Sequence, residues 1–461
     1  MHLGRTRHLH LVAIGGIGMS GIAEILVNSG FTVTGSDQRE GPALDRLRSF
    51  GVVCHVGHRA EQVEGAHVVV YSSAVPQDNP ELVEARERGI PVISRGEMLA
   101  ELMRLKRGIA ITGSHGKTST SSLVAEVLHA GGLDPTAVVG GRLLSFGSNA
   151  RLGAGPHMVA EADESDGSFQ RLAPTWAVVT NVDNEHLDHY GDFATLRAAV
   201  LGFLNRVPFY GASILCLEDP TLRAMLPEIR GRVVGYGWSD DCALKGEIVE
   251  QHPGGTRFRW RSARFGGELE LPVLGRHNVL NALAAVAVGL ELDVSPEDIG
   301  RGLSAFQGVG RRFQVLGSVD DIIIMDDYGH HPTEIARTLE AAREHFGRRL
   351  RVVFQPHRYS RTRMLADEFG EAFDAADDLI LTEIYAAGEA PIEGVDAGLI
   401  ERAVASRGRT PVRRVGEKDA IAALLMDELE PGDLVLTLGA GDLNRFAEDL
   451  LKRLEATRGV R

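Results

Sequence analysis

Short runs of β-branched and other apolar residues recur along the chain, and many are followed by glycine and then by a helical spacing of apolar positions. Strand and helix signals that alternate in this way predict parallel sheets with right-handed crossovers. The pattern falls into three βα-rich blocks. The first predicts strands at 9–14, 31–36, 67–71 and 91–94 and a helix at 19–28. The second predicts a strand at 108–112, a helix at 118–130 and strands at 158–162 and 176–181. Its later part, 258–274, alternates apolar and polar positions as an antiparallel strand pair does, and an Ala- and Val-rich helix at 277–290 closes it. The third block starts near Arg311, with strands at 322–325, 351–355, 378–382 and 434–438 and helices that include 334–346 and 443–454. Short linkers near Leu105 and Val309 separate the blocks and leave room for hinge motion.

A length of 461 residues agrees with this count, at roughly 150 residues per domain. Acidic residues outnumber basic ones, 63 to 49, and the net charge of −14 argues against broad nucleic-acid binding. Cys54, Cys216 and Cys242 are scattered without a C-x-x-C pair, which excludes a disulfide framework and disfavours a Cys-ligated zinc. There is no apolar stretch long enough to span a membrane. The first residues enter a strand-like run without the apolar core of a signal peptide, so a soluble, cytoplasmic protein is expected. Glycine is in excess, 54 of 461 residues. It stands at strand-to-helix turns instead of in low-complexity tracts, and such turns are where phosphate-cradling loops need it.

Five constellations carry candidate chemistry. Gly16-Ile17-Gly18-Met19-Ser20-Gly21 is a G-x-G-x-x-G between an expected strand and helix, with Asp37 at the end of the next strand. Such a turn receives a diphosphate at the helix N-terminus, and the acid can take a ribose hydroxyl. Taken alone it suggests NAD, or a bare structural turn. Thr112-Gly113-Ser114-His115-Gly116-Lys117-Thr118, followed by Ser119, is a shortened phosphate loop, since Ile111 stands where the full spacing has glycine. Lys117 suits β- and γ-phosphates and the Thr118 hydroxyl suits Mg²⁺. Glu161, Asp163, Glu164 and Asp166 follow the next strand, where a carboxylate can hold Mg²⁺; a solvated charge run is the plain alternative. His186 lies in a polar segment at 181–188, at the same strand-end edge. His277, Asn278 and Asn281 open a helix, and the two amides, three apart, share a face suited to a base edge or to capping. In the third block the segments 326–332, 355–361 and 439–442 each follow a strand. Ligands of open parallel sheets bind at that edge, and Arg358 and Arg361 suit a carboxylate or phosphate, unless they are ordinary surface arginines.

GGIGMSGIAEIL, TGSHGKTST, EADESDGSF, TNVDNEHLDHY, GRHNVLNALAA, GRRFQ, DDYGHHPTE and PHRYSRT, in this order and over nearly the whole chain, resemble the Mur ligases. The phosphate loop alone would also fit folylpolyglutamate synthase; GGIGMSG with HHPTE and PHRYSRT is much narrower. The resemblance implies an α/β fold of three domains: 1–104, Rossmann-like and UDP-sugar-binding; 105–309, a P-loop ATPase-like mixed sheet; 310–461, Rossmann-like and amino-acid-binding. It implies ATP-dependent addition of L-alanine, the first amino acid, to the lactyl carboxylate of UDP-N-acetylmuramate in peptidoglycan precursor synthesis. ATP and Mg²⁺ are then required, no nucleic acid or membrane partner is expected, and the chain is a monomer or homodimer.

By the same resemblance Gly16, Gly18, Met19 and Ser20 approach a UDP diphosphate, not NAD, with Asp37 and Ser72 or Ser73 around the uridine and His115 nearby. Gly113, Ser114, His115, Gly116, Lys117, Thr118 and Ser119 bind ATP, and His277, Asn278 and Asn281 line the adenosine. Lys117 is expected to be catalytic, with Thr118 and Glu161 on one Mg²⁺ and His186 on a second. Arg312 is expected at the reaction, and Tyr328, His330, His357, Arg358 and Arg361 around L-alanine. Later Mur ligases use a carbamylated lysine that 194–206 lacks, which agrees with the first addition. The nearest alternative is the ligase that recycles a tripeptide; its HHPT segment usually continues differently from the Glu334 found here. A nicotinamide-dependent dehydrogenase leaves the phosphate loop without a task. A non-catalytic nucleotide-binding protein leaves Lys117, Thr118, Glu161 and His186 without one.

Overall fold

The computed structural model describes residues 3–143, 148–164, 167–184, 187–252 and 254–458. Three sheets carry the chain. Strands β1 (His8–Val12), β2 (Thr32–Asp37), β3 (Val53–Val56), β4 (Val68–Tyr71) and β5 (Val92–Ser94) form a parallel sheet in the order β3-β2-β1-β4-β5. Both faces are covered: Leu9 and Leu11 of β1 pack into the main apolar cluster, while Val12 packs with Val63, Val69 and Leu82 on the other side. The strand order reverses at β1 and β4, which opens a crevice beyond their carboxyl ends.

The second sheet has ten strands: β6 (Arg107–Thr112), β7 (Thr136–Leu143), β8 (Ser148–Arg151), β9 (His157–Glu161), β10 (Trp176–Val179), β11 (Ala212–Cys216), β12 (Val233–Gly237), β13 (Leu244–His252), β14 (Gly255–Arg261) and β15 (Gly266–Leu271). Their order is β15-β14-β13-β12-β11-β10-β6-β9-β7-β8. β6 lies parallel between β9 and β10, so the loop after it has a strand end on each side. The antiparallel pair expected within 258–274 is present as β14 and β15, and β13 adds a third antiparallel strand.

The third sheet is β16 (Gln314–Val319), β17 (Ile322–Asp327), β18 (Arg349–Phe354), β19 (Asp378–Leu381), β20 (Val412–Arg414) and β21 (Asp433–Leu438), ordered β16-β17-β21-β18-β19-β20. Only β16 runs antiparallel to its neighbour. Alternate residues serve opposite faces: Val352 and Leu379 enter one apolar cluster, Val353 and Ile380 the other.

The chain divides into two compact units, Met1–Val309 and Gly310–Arg461. The first holds two sheets because a single apolar cluster runs through both, from Leu9 through Ile109 and Val178 to Val309. Of the strands that the apolar pattern did not predict, β3, β8, β16 and β20 lie at sheet edges, whereas β7, β11, β12 and β13 lie inside the second sheet. An edge strand is covered less fully and carries a weaker apolar signal. Among the described residues no helix is long and apolar enough to cross a membrane.

Candidate active site

The glycine turn after β1 leads into the helix Ile17–Asn28, two residues earlier than the apolar spacing predicted. Gly16 is its N-cap, without a side-chain cap and without an acidic residue in the first turn, so the leading N–H groups suit an anion. The Met19 side chain is buried in the core, so only its backbone can face a ligand. Ser20 Oγ donates to Ile17 O at 3.0 Å. Asp37 Oδ2 accepts from Gly15 N–H at 2.9 Å, which makes the acid a brace of the turn itself. Ser72 follows β4, its N–H donating to Val12 O at 3.4 Å, so it and Ser73 belong to the same crevice.

The loop after β6 enters the helix Lys117–Ala130 through Gly116, which has φ +81°. It is clasped by the loop after β10. Asn181 Oδ1 accepts from His115 N–H at 2.8 Å, and Asn181 Nδ2 and Thr180 Oγ1 both donate to His115 O, at 3.1 and 2.5 Å. Asp183 N–H donates to Ser114 Oγ at 2.8 Å, and the buried His115 ring pairs through Nε2 with Asp183 Oδ2 at 3.0 Å. Because β10 ends at Val179, Thr180 and Asn181 are loop residues turned onto the phosphate loop.

Lys117 Nζ donates to Gly113 O at 2.6 Å, Ser114 O at 3.1 Å and Glu164 Oε1 at 2.7 Å. Burial works to lower the pKa of this amine, but Glu164, Asp163 and Glu161 outweigh it and hold the pKa above the usual lysine value. Glu161, at the end of β9, accepts from Thr118 Oγ1 at 3.2 Å and from Gly140 N–H at 2.7 Å. Burial pushes its carboxyl up against the pull of Lys117. A half-buried carboxylate next to a threonine hydroxyl is a hard-oxygen pair that suits Mg²⁺, whose charge would offset the desolvation. His186 and Asp166 lie outside the described residues.

Asn281 and Asn278 sit behind this loop. Asn281 Oδ1 accepts from Thr120 Oγ1 at 3.1 Å, its Nδ2 donates to Asn278 Oδ1 at 3.4 Å, and Asn278 Nδ2 donates to Leu274 O at 2.7 Å. Both carboxamides are thus used on the protein, tying the helix Arg276–Glu291 to the helix of the phosphate loop. His277 is half-buried beside them, at the start of the same helix.

In the second unit the loops after β17, β21, β18 and β19 lie at the carboxyl edge of adjacent strands. His330 Nδ1 is 3.0 Å from Tyr328 O. Its ring is 5.4 Å from that of Tyr328 and 5.7 Å from that of His357. His357 in turn stacks on Tyr385 at 5.7 Å and 12°. Burial and the nearby Arg361 and Arg358 lower the His357 pKa to about 4. Burial also takes that of His330 well down, so both rings are neutral at pH 7. Arg361 Nη1 lies 3.5 Å from His357 Nδ1, and Arg358 is exposed at the start of the same helix, Tyr359–Met364.

Arg312 lies over the Tyr328 ring at 5.1 Å, with Nη1 3.7 Å from Glu334 Oε1. Its neighbour Arg311 fastens the loop after β21, donating to Gly439 O at 2.6 Å and Gly441 O at 3.1 Å. Sequence reading missed Arg311, Asn181 and Tyr385 as parts of these sites, and it named Glu164 as a possible Mg²⁺ ligand, not as the partner of Lys117. Glu164 and Asn181 stood in quoted strand-end segments, and the position of Tyr385 just after an expected strand was the available signal.

Three family models match consecutive parts of the chain: the Mur ligase family catalytic domain at 8–107, the Mur ligase middle domain at 111–289, and the Mur ligase glutamate ligase domain at 311–441. The chain belongs to the Mur ligase family. Among its relatives, UDP-N-acetylmuramate–L-alanine ligase of Anaeromyxobacter dehalogenans is 52% identical over 458 residues, covering 99% of this chain and 100% of that one. The ligase of the same name from Geotalea daltonii is 51% identical, covering 98% and 99%. The crystal structure of UDP-N-acetylmuramate-alanine ligase from Thermotoga maritima superposes with a TM-score of 0.82 at 29% identity, covering 98% of this chain and all of that one. A murein peptide ligase from Psychrobacter arcticus shares the fold at a TM-score of 0.74 and 24% identity, over 97% and 98%. The three-domain α/β architecture is therefore that of the Mur ligases, with the phosphate loop inside the part matched by the middle domain.

Proposed function

We propose that this Mur ligase joins L-alanine to the lactyl carboxylate of UDP-N-acetylmuramate at the expense of ATP, releasing ADP and phosphate. The observation that carries the reading is 52% identity, over 99% of the chain, to a ligase of that name. The Lys117–Glu164 and Thr118–Glu161 contacts supply groups the chemistry needs. A free carboxylate is a poor acyl donor. In the first step its oxygen attacks the γ-phosphorus, the bond to ADP breaks, and an acyl phosphate forms. In the second, the amine of L-alanine attacks the acyl carbon, a proton leaves the nitrogen, and phosphate departs. Such a reaction asks the protein for positioning and charge neutralisation more than for covalent chemistry.

The amides of 113–119 and the protonated Lys117 would hold the phosphates, with Asn181, Asn278 and Asn281 keeping the loop in shape. Thr118 and Glu161 would hold one Mg²⁺ and His186 a second, which on binding neutralise phosphate charge. The turn Gly16–Ser20 would take the UDP diphosphate, with Asp37 as its brace and Ser72 and Ser73 across the crevice. His277 would lie on the adenosine side. Arg358 and Arg361 would bind the alanine carboxylate. His330 and His357, kept neutral, would accept from its ammonium without repelling it, and Tyr328 and Arg312 would complete that site. A cytoplasmic location would agree with these reactants.

The test is phosphate release with ATP, Mg²⁺ and UDP-N-acetylmuramate, comparing L-alanine, glycine, L-serine and the tripeptide. Release is expected with L-alanine, with weaker release for glycine or serine, because one methyl group is worth only about 1–3 kcal/mol of discrimination. Release with the tripeptide alone would replace this reading by the recycling reaction.

A further inference from the structure

The inference rests on the reading above, in which a nucleotide sugar occupies the glycine turn. Arg95 opens the helix Arg95–Arg104, whose first turn is fixed by a capping box: Ser94 Oγ accepts from Glu97 N–H at 3.3 Å, and Glu97 Oε2 accepts from Ser94 N–H at 2.7 Å. The Arg95 guanidinium lies against the glycine turn, so close that a Cβ on Gly18 would stand 2.6 Å from Nη1. The other nitrogen, Nη2, lies 3.4 Å from Asp163 Oδ2, in the acidic loop after β9 that also holds Glu164, the partner of Lys117. On another side of the same turn Asn149 Nδ2 donates to Ile17 O, and a Cβ on Gly21 would meet Ala150 at 3.0 Å. The second sheet therefore grips the first turn of the helix Ile17–Asn28.

A guanidinium is electrostatically misplaced beside a helix N-terminus, which is the positive end of the helix dipole. An anion between the two removes the conflict. Asp163 is a weak answer, since the contact is long and the two side chains are 27% and 38% exposed. A diphosphate can accept from the turn amides and from the fork of the guanidinium at once.

We propose that Arg95 binds the diphosphate of the nucleotide sugar, exchanging Asp163 for substrate, and thereby links the two nucleotide sites. Release of Asp163 adds negative charge beside Lys117 and Glu161, which favours the cationic partners of ATP there. The linkage is reciprocal, so ATP must tighten the nucleotide sugar by the same factor.

The experiment is calorimetric binding of UDP-N-acetylmuramate to the full chain, with and without Mg²⁺ and a non-hydrolysable ATP analogue, in wild type, R95A, R95K and D163N. R95A is expected to weaken the nucleotide sugar by about tenfold, the equivalent of about 1.4 kcal/mol, and to lose the linkage. R95K regains part of the affinity, and D163N does not weaken binding but abolishes the linkage. Unfolding midpoints show that each variant is folded. A merely structural ion pair predicts instead that R95A and D163N weaken binding alike, which would overturn the proposal, as would full affinity in R95A. A wild type that does not bind UDP-N-acetylmuramate overturns the functional reading along with it.

Discussion

At Lys117 the balance of burial against charge decides the role of the residue. Desolvation opposes the ammonium, yet Glu164 at 2.7 Å and the neighbouring Asp163 and Glu161 keep it protonated, so in the proposed reaction it would meet a phosphate as a cation. Lys117→Ala is expected to abolish ligation while UDP-N-acetylmuramate still binds, measured by turnover and calorimetry; equal loss of both would contradict separate nucleotide sites. His357 shows the opposite balance. Burial and two arginines lower its pKa to about 4 from an unperturbed 6.5. Between those values the unfolded chain binds a proton that the folded chain refuses, so this residue makes stability fall as pH drops from about 6.5 to about 4 and level off below. Ring-proton NMR should give a His357 midpoint near pH 4; a midpoint near 6.5 would mean the ring is solvated.

At the scale of elements, the phosphate loop depends on a neighbouring strand end as much as on its own glycines. Gly113 has φ +129°, and a Cβ there would stand 2.2 Å from Thr180 Oγ1 and 3.0 Å from the Asn181 backbone. Gly113→Ala therefore combines backbone strain of about 1–3 kcal/mol with a displaced clasp. The KM for ATP is expected to rise about tenfold or more, about 1.4 kcal/mol per tenfold, with UDP-N-acetylmuramate binding unchanged. The phosphate loop was legible because strand, glycines, Lys117 and helix are contiguous. The clasp was not, because His115 and Asn181 are 66 positions apart and the expected strand ran through Asn181. The acidic run after β9 announced itself by charge, but charge alone does not say that Glu164 turns inward while Asp163 stays partly exposed. Asn278 and Asn281 were read as sharing a helix face, as they do; what that face meets is set by the helix Lys117–Ala130 packed against it. Edge strands such as β3 and β20 escaped because one side of an edge strand has no partner and its apolar pattern is broken.

At the scale of the whole molecule, three sheets present their loops at carboxyl strand ends, and the chemistry divides among them. The first two share one apolar cluster, which agrees with direct contacts between the glycine turn and strand β8. The third has its own pair of clusters and its own set of imidazole, phenol and guanidinium groups. An acidic net charge of −14 is compatible with anionic substrates, because in the proposed sites they would be met locally by backbone amides, Lys117 and arginines. The central claim is that the carboxylate is activated by phosphorylation before the amine attacks. It is tested most directly by isotope transfer. UDP-N-acetylmuramate with both lactyl carboxylate oxygens replaced by ¹⁸O is turned over with ATP, Mg²⁺ and L-alanine, and the phosphate is analysed by mass spectrometry. One ¹⁸O in each phosphate released, with the other retained in the new amide, is the predicted result; phosphate free of label would contradict the account.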